Sequence, residues 1–119
     1  MSIKTINDIV TEEDGNTIVI FSKFGETLDL RHIGESRSGN WKIKDERDFN
    51  TVVIYFRNEV AKENLVFKGK FVDYEDVPDE ENRKVVVMKE VKNIGTTDSM
   101  WTEFNTQNTS NPCLYIGNN

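Results

Sequence analysis

The sequence predicts a mainly β fold: a small bent-hairpin barrel or pseudobarrel of five to seven strands with one or two short helices. Short runs of β-branched and aromatic residues recur along the chain, and turns rich in glycine and asparagine separate them. A barrel accounts for these runs because closure removes the exposed edges of many short strands. A β-sandwich is the alternative.

One domain spanning residues 1–119 is expected, because a chain of this length buries an adequate core without disulfides or metals. Apolar residues make up 36% of the chain, which suffices for a packed interior although 30% of the residues are charged. Runs such as "IVIF" and "VVVM" are far shorter than the roughly 20 apolar residues of a membrane span. The N-terminal "MSIKTINDIV" lacks the apolar segment of a signal peptide. We therefore expect a cytoplasmic protein that does not enter a membrane.

The predicted strands follow from alternation and β-branched content, and lie at residues 17–22, 27–33, 51–57, 65–77, 83–94 and 113–116. A turn at Gly25 joins the first two strands into a predicted hairpin. Residues 34–40, "GESRSGN", are predicted to form a polar loop that leads to Trp41. The run "TVVIYFR" is apolar on both faces, which predicts a strand in the centre of the sheet.

The fourth and fifth of these strands form a predicted long hairpin with an acidic turn between them. In its first strand Phe67 and Phe71 are apolar on one face, whereas Val72 and Tyr74 are apolar on the other. A slip of one residue inside a strand indicates a β-bulge or a sharp bend, and Gly69 lies close to this slip.

The segment "TTDSMWTEF" (96–104) predicts a short helix, with Asp98 or Ser99 as its N-cap and apolar residues three and four positions apart. Two roles are open for Trp101. It plugs one end of the barrel together with Phe104, or it forms a stacking platform for a planar ligand. Trp41, at a junction between loop and strand, has the same two options.

The stretches "NWKI", "TVVIYFR", "FKGKFV" and "DSMWTEF", with a long return strand before the last, follow one another between about residues 41 and 104. This order resembles the PUA-like superfamily of pseudobarrels, which includes EVE, ASCH and YTH domains. Domains of this kind often bind RNA or hold a flipped, modified base in a pocket lined by aromatic rings. The resemblance implies that Trp41 and Trp101 hold such a planar group. It also implies that polar residues on the adjoining loops read the base edge: Asn40, Thr97, Asp98 and Ser99.

The charge pattern suggests a different function. The net charge is −6, with acidic clusters at 11–15, 44–48 and 74–82. No basic stripe of the kind that contacts many phosphates is visible, although Arg37 in "SRSGN" is a candidate for an anion contact. A module that reads a single flipped base remains compatible with this charge. The alternative is an acidic protein-interaction or inhibitor domain, of the phage or mobile-element type, that docks on a basic partner or mimics nucleic-acid charge.

Catalysis is not expected from this sequence. It contains no P-loop, no dinucleotide-binding fingerprint and no nucleophile elbow. Cys113 and His32 are each the single residue of their type, which leaves no disulfide and no zinc-ligand set. We therefore assign no catalytic residue, no metal site and no cofactor.

Overall fold

A computed structural model describes residues 3–23, 28–29, 36–42, 49–58, 63–76, 83–107, 109 and 113–116. Two 3-10 turns come first, at Ile6–Asp8 and Glu12–Asp14. The strands are β1 Thr17–Lys23, β2 Leu28–Asp29, β3 Ser36–Lys42, β4 Thr51–Asn58, β5 Glu63–Asp76, β6 Arg83–Thr97 and β7 Cys113–Ile116. One helical turn, α1, spans Trp101–Phe104. No helix in these ranges is long and apolar enough to cross a membrane.

The strands form one mixed sheet in the order β2-β3-β6-β5-β4-β1-β7. Among the described strands β1 pairs with β4 in parallel, and the remaining strand pairings are antiparallel. The mainly β fold and the number of strands are therefore confirmed. The sheet is not a closed barrel: β2 and β7 lie at its opposite ends, and no pairing between described residues joins them.

The predicted hairpin between residues 17–22 and 27–33 is wrong. β1 pairs with β4 and β7, while the described part of the second strand, β2, pairs with β3. β1 is apolar on both faces, with Ile18 and Ile20 on one and Val19 and Phe21 on the other. A strand buried on both faces is stabilised inside the sheet, and a parallel pairing with β4 satisfies it better than a local hairpin.

The predicted loop at 34–40 is also wrong, because residues 36–42 form β3. The sequence "SRSGNWK" is polar and contains glycine, which weakens the strand signal. The free edge of β6 supplies the hydrogen-bonding partner that decides the conformation. A register shift between Ser38 and Trp41 accommodates the glycine stretch.

The central strand predicted at 51–57 is confirmed as β4, which lies between β1 and β5 and has Val52–Tyr55 fully buried. Because side chains alternate along β1 and β4, the sheet carries a hydrophobic core on each face. The N-terminal segment and α1 cover the first core. The buried residues of this core are Ile3, Ile6, Val19, Val53, Tyr55, Val66, Trp101, Phe104 and Leu114. The second core includes Ile18, Ile20, Phe49, Val52, Ile54, Val86 and Met88.

The long hairpin of β5 and β6 contains the predicted irregularity. Its register shifts at three places, one of them between Phe71 and Asp73. As a result Phe71 and Tyr74 both pack against the second core, although they are three positions apart in the strand. A second slip in β6 brings Met88 and Val91 to that same core. Each β-bulge inserts an extra residue on one strand, which restores the apolar side chains to the buried face.

Candidate functional site

Four aromatic rings form a cluster within the first core. The ring centroid of Trp101 lies 5.5 Å from Phe21, 5.5 Å from Tyr55 and 6.2 Å from Phe104. Tyr55 and Phe104 are fully buried, and Trp101 is 8% exposed. These separations are in the range of favourable aromatic pairs, so the indole packs against other rings of the protein. This packing puts Trp101 in the core beside Phe104, whereas the open sheet has no barrel end for it to plug.

The loop before Trp101 is hydrogen-bonded to Tyr55, a member of the same cluster. The Tyr55 hydroxyl donates a 2.7 Å hydrogen bond to the Ser99 carbonyl, and burial raises the pKa of Tyr55. The Ser99 amide donates to the Thr97 hydroxyl, and Thr97 is only 2% exposed. Thr97 and Ser99 thus make hydrogen bonds that stabilise the loop, while Asp98 is exposed. Ligand binding by these residues stays a prediction.

The N-cap predicted for this helix is wrong. The helical turn begins at Trp101 with Met100 in the capping position, and no side chain caps it. Asp98 and Ser99 precede the capping position, and the Met100 side chain has no oxygen that could accept a hydrogen bond from the first amides. Met100 is 62% exposed beside the buried indole.

The other predicted site residues lie on β3, where the structure describes the backbone only. Trp41 is opposite Lys84 near the start of β6, and Arg37 is opposite Val87. Asn40 falls within the register shift of the same strand. Trp101, by contrast, follows the last residue of β6. The register therefore puts Trp41 and Trp101 near opposite ends of β6 and does not bring them together along the sheet. His32 lies outside the described residues.

A cavity of about 470 Å³ lies on the side of the sheet that carries the first core, at the bulged part of β5 and β6. It is lined by Glu13, Asp14, Asn50, Thr51, Lys68, Gly69, Lys70, Glu90 and Lys92. We call it the lysine cavity after three of these residues. None of the residues lining it is aromatic. None was singled out from the sequence as a site residue.

Lysines on β5 face lysines on β6 in this region. Lys68 is directly opposite Lys92, and Lys70 is directly opposite Lys89. Like charges at directly opposed positions of an antiparallel pair destabilise a sheet. Two such pairs are neighbours here, in a chain of net charge −6, although Lys68 and Lys70 each also contact a carboxylate.

One of the four lysines is tied to the N-terminal segment. Lys68 donates a 2.8 Å hydrogen bond to the Ile9 carbonyl and a 2.9 Å bond to the Asp14 carboxylate. Burial raises the pKa of Asp14, but the bonds from Lys68 and from the Thr11 amide outweigh it and leave the pKa below its usual value. The pair is largely shielded, with side-chain exposures of 27% for Lys68 and 17% for Asp14. Lys68 therefore has a structural role in the wall of the cavity.

The remaining lysines surround the Glu90 carboxylate. Lys70 lies 2.9 Å from it in an exposed ion pair. The hydrogen bond and charge of Lys70, with further contributions from the charges of Lys89 and Lys92, lower the pKa of Glu90. The carboxylate is thus held in its ionised form within a group of three positive charges.

Metal binding or thiol chemistry at the described residues would need clustered ligands or a reactive Cys113. These residues contain no group of three or more histidine, cysteine, aspartate or glutamate side chains arranged to hold a metal ion. Burial raises the pKa of the Cys113 thiol to about 12, which keeps it protonated and unreactive at neutral pH. The lysine cavity offers three ammonium groups together with three carboxylates, an amide and a hydroxyl, all of which can hydrogen-bond a polar ligand.

Comparisons with protein-family models, with curated proteins and with solved structures gave no match. The resemblance to PUA-like pseudobarrels therefore stays a prediction. The spacing in "FKGKF" and "MKEVK" was the available sequence signal for the lysine cavity, but only the register of β5 on β6 brings those lysines together.

Proposed function

We propose that this chain is a non-enzymatic binding module for a phosphate-bearing ligand of the nucleic-acid type, which it holds at the lysine cavity. The observation that carries the proposal is the pair of opposed lysine couples, Lys68 with Lys92 and Lys70 with Lys89. A bound phosphate would lie near several ammonium groups and relieve their mutual repulsion.

The proposal agrees with the overall acidity of the chain only if binding is local. A protein of net charge −6 repels a long polyanion at a distance, so it lacks the attraction that gives basic proteins their non-specific affinity. Around the lysine cavity four lysines lie within a few residues of two strands, while Glu13, Asp14 and Glu90 add three carboxylates to the same lining, so the positive charge available to a ligand is small and local. We therefore expect a ligand that presents one or a few phosphates, with affinity that falls as salt rises.

Base reading in an aromatic pocket is the finer part of this proposal. Its support is the resemblance to PUA-like domains. In a module of that kind, a phosphate contact would position a nucleotide so that its base, modified or not, is recognised. The packed ring of Trp101 weighs against stacking by that residue. Polar groups that border the cavity, Asn50 and Thr51, are better placed to meet a base edge. Action in the cytoplasm belongs to the same proposal and is supported by the single cysteine, which forms no disulfide.

The test is a titration with a labelled single-stranded oligonucleotide, a nucleoside monophosphate and inorganic phosphate at several salt concentrations. Lys92→Gln is the main variant, since Lys92 lines the cavity and is exposed. We expect it to weaken oligonucleotide binding about five- to tenfold at low salt and to reduce the salt dependence by about the contribution of one phosphate contact. Lys4→Gln is the matched control, because it removes the same charge from an exposed position that does not line the cavity. Equal weakening by both variants would show an effect of net charge alone and would contradict the proposal.

A second candidate is the acidic interaction domain. An interaction domain of this kind needs no accessible tryptophan, and Trp101 is only 8% exposed. Exposed carboxylates on the second 3-10 turn and on β5 would then contact a basic partner. A chain that binds no phosphate ligand but captures a basic protein, with capture weakened by Glu12→Gln or Asp73→Asn, would favour this candidate.

A further inference from the structure

Glu90 has an unusual backbone conformation for its residue type. Its φ is 54°, in the left-handed region that glycine and asparagine adopt readily and that a glutamate adopts at a cost. It occupies a bulged part of β6, between the register positions of Lys89 and Lys92. Strained residues of this kind are concentrated at functional sites, where the surrounding structure holds them.

The strain is not explained by a stabilising ion pair. The side chains of Lys70 and Glu90 are 64% and 58% exposed, and an exposed pair of this sort contributes little to folding. The carboxylate instead lines the lysine cavity and lies close to the positive charges that would attract a ligand. The bulge therefore directs a negative group to the position where a bound anion would be most stable.

We propose that the Glu90 carboxylate marks the anion position of the lysine cavity and occupies it in the free protein, so that a ligand phosphate must displace it from Lys70. This inference rests on the proposed function and specifies its mechanism. The ligand class is a phosphate monoester or phosphodiester, whose oxygens replace those of the carboxylate on Lys70, with Lys89 and Lys92 nearby. Glu90 then acts as an internal competitor that lowers the affinity of the cavity for anions. Ligands that make further contacts with the protein offset the cost of displacing it.

The experiment compares Glu90→Gln with the full-length wild-type chain. Glutamine keeps the size of the side chain and removes the competing charge. Glu103→Gln is the matched control, since it changes net charge equally at an exposed position of α1 that does not line the cavity. The probes are inorganic phosphate and a labelled single-stranded oligothymidylate, at low and at physiological ionic strength. Urea unfolding of each variant is measured in parallel, and Glu90→Gly serves as a second variant that removes both the carboxylate and the backbone strain.

We expect Glu90→Gln and Glu90→Gly to bind both probes about five- to tenfold more tightly at low salt, with a smaller gain at high salt. Glu103→Gln should change binding less than about twofold. If the wild type binds but neither Glu90 variant binds more tightly than Glu103→Gln, the competitor role is wrong and the proposed function stands. If no protein binds either probe, the proposed function fails and this inference fails with it.

Discussion

Gly69 is the position at which a single methyl group tests the packing of the bulged hairpin. A Cβ built on Gly69 lies 2.7 Å from Val91 Cγ2, 3.0 Å from the Lys89 carbonyl oxygen and 3.1 Å from Val91 Cα. Favourable contacts between carbon atoms lie at about 3.5–4.0 Å. Two of the three obstructing atoms belong to the backbone of β6, which a rotamer change cannot move. Gly69→Ala therefore forces β5 and β6 apart.

The magnitude follows from two opposing terms. Overpacking in a fitted interior costs about 1–3 kcal/mol, and backbone obstruction argues for the upper half of that range. Replacing a strand glycine restricts the unfolded chain and recovers about 0.5–1 kcal/mol. We expect Gly69→Ala to lower the free energy of unfolding by about 2 kcal/mol, a reduction in Tm on the order of 6–10 °C for a domain of this size.

Urea unfolding followed by tryptophan fluorescence measures this loss, and Val91→Ala supplies the matched partner. Removing the Val91 methyl groups takes away the closest obstruction and leaves the two backbone contacts. In a double-mutant cycle we expect a coupling free energy of about 1 kcal/mol or more, with alanine at 69 tolerated better when residue 91 is also alanine. A Gly69→Ala protein within about 0.5 kcal/mol of wild type, or equal losses in both backgrounds, would refute the packing argument.

Two further predictions concern the first core and the pair that joins it to the cavity. Trp101→Ala should lower the free energy of unfolding by about 3–5 kcal/mol and Trp101→Phe by clearly less, because the indole packs against three other rings. Urea denaturation followed by circular dichroism measures both losses, and wild-type stability of Trp101→Ala would exclude a core role for this residue. The pKa of Asp14 is lowered in the folded state, so its ion pair with Lys68 stabilises the fold above the unfolded pKa of about 4 and loses that effect as pH falls through the folded value. Unfolding measured from about pH 5 to pH 2 should therefore be less dependent on pH in Asp14→Asn than in wild type, and parallel curves would contradict this assignment.

The strongest predictions from sequence concerned segments whose own pattern decides their structure. The run "TVVIYFR" is apolar at alternate and intervening positions, so any fold that buries it must cover both of its faces, and β4 is a central strand. The slip between Phe71 and Tyr74 was visible as a change of phase, since the side-chain period of a strand is two residues. The strand at 113–116 was predicted with its observed bounds.

The incorrect predictions concerned segments whose partners lie far away in the chain. The hairpin after β1 was inferred from a local turn at Gly25, whereas β4, more than twenty residues further on, competes for the edge of β1 and pairs with it in parallel. β3 has a weak intrinsic preference for a strand and takes its conformation from the edge of β6. Capping of α1 was inferred from residue types alone, whereas the helical turn begins later than expected, with Met100 as its N-cap.

The sequence by itself determined that this chain is mainly β, that β4 is central and that the long hairpin is bulged, because those features depend on side-chain alternation within single segments. Only the tertiary structure decided which lysines oppose one another and that Glu90 lies among them. Cross-strand register is set by pairing and bulges over the whole of β5 and β6, and a shift of one residue would point these side chains to the other face. The lysine cavity, and the binding proposed for it, therefore depend on register, which the spacing of lysines along the chain does not specify.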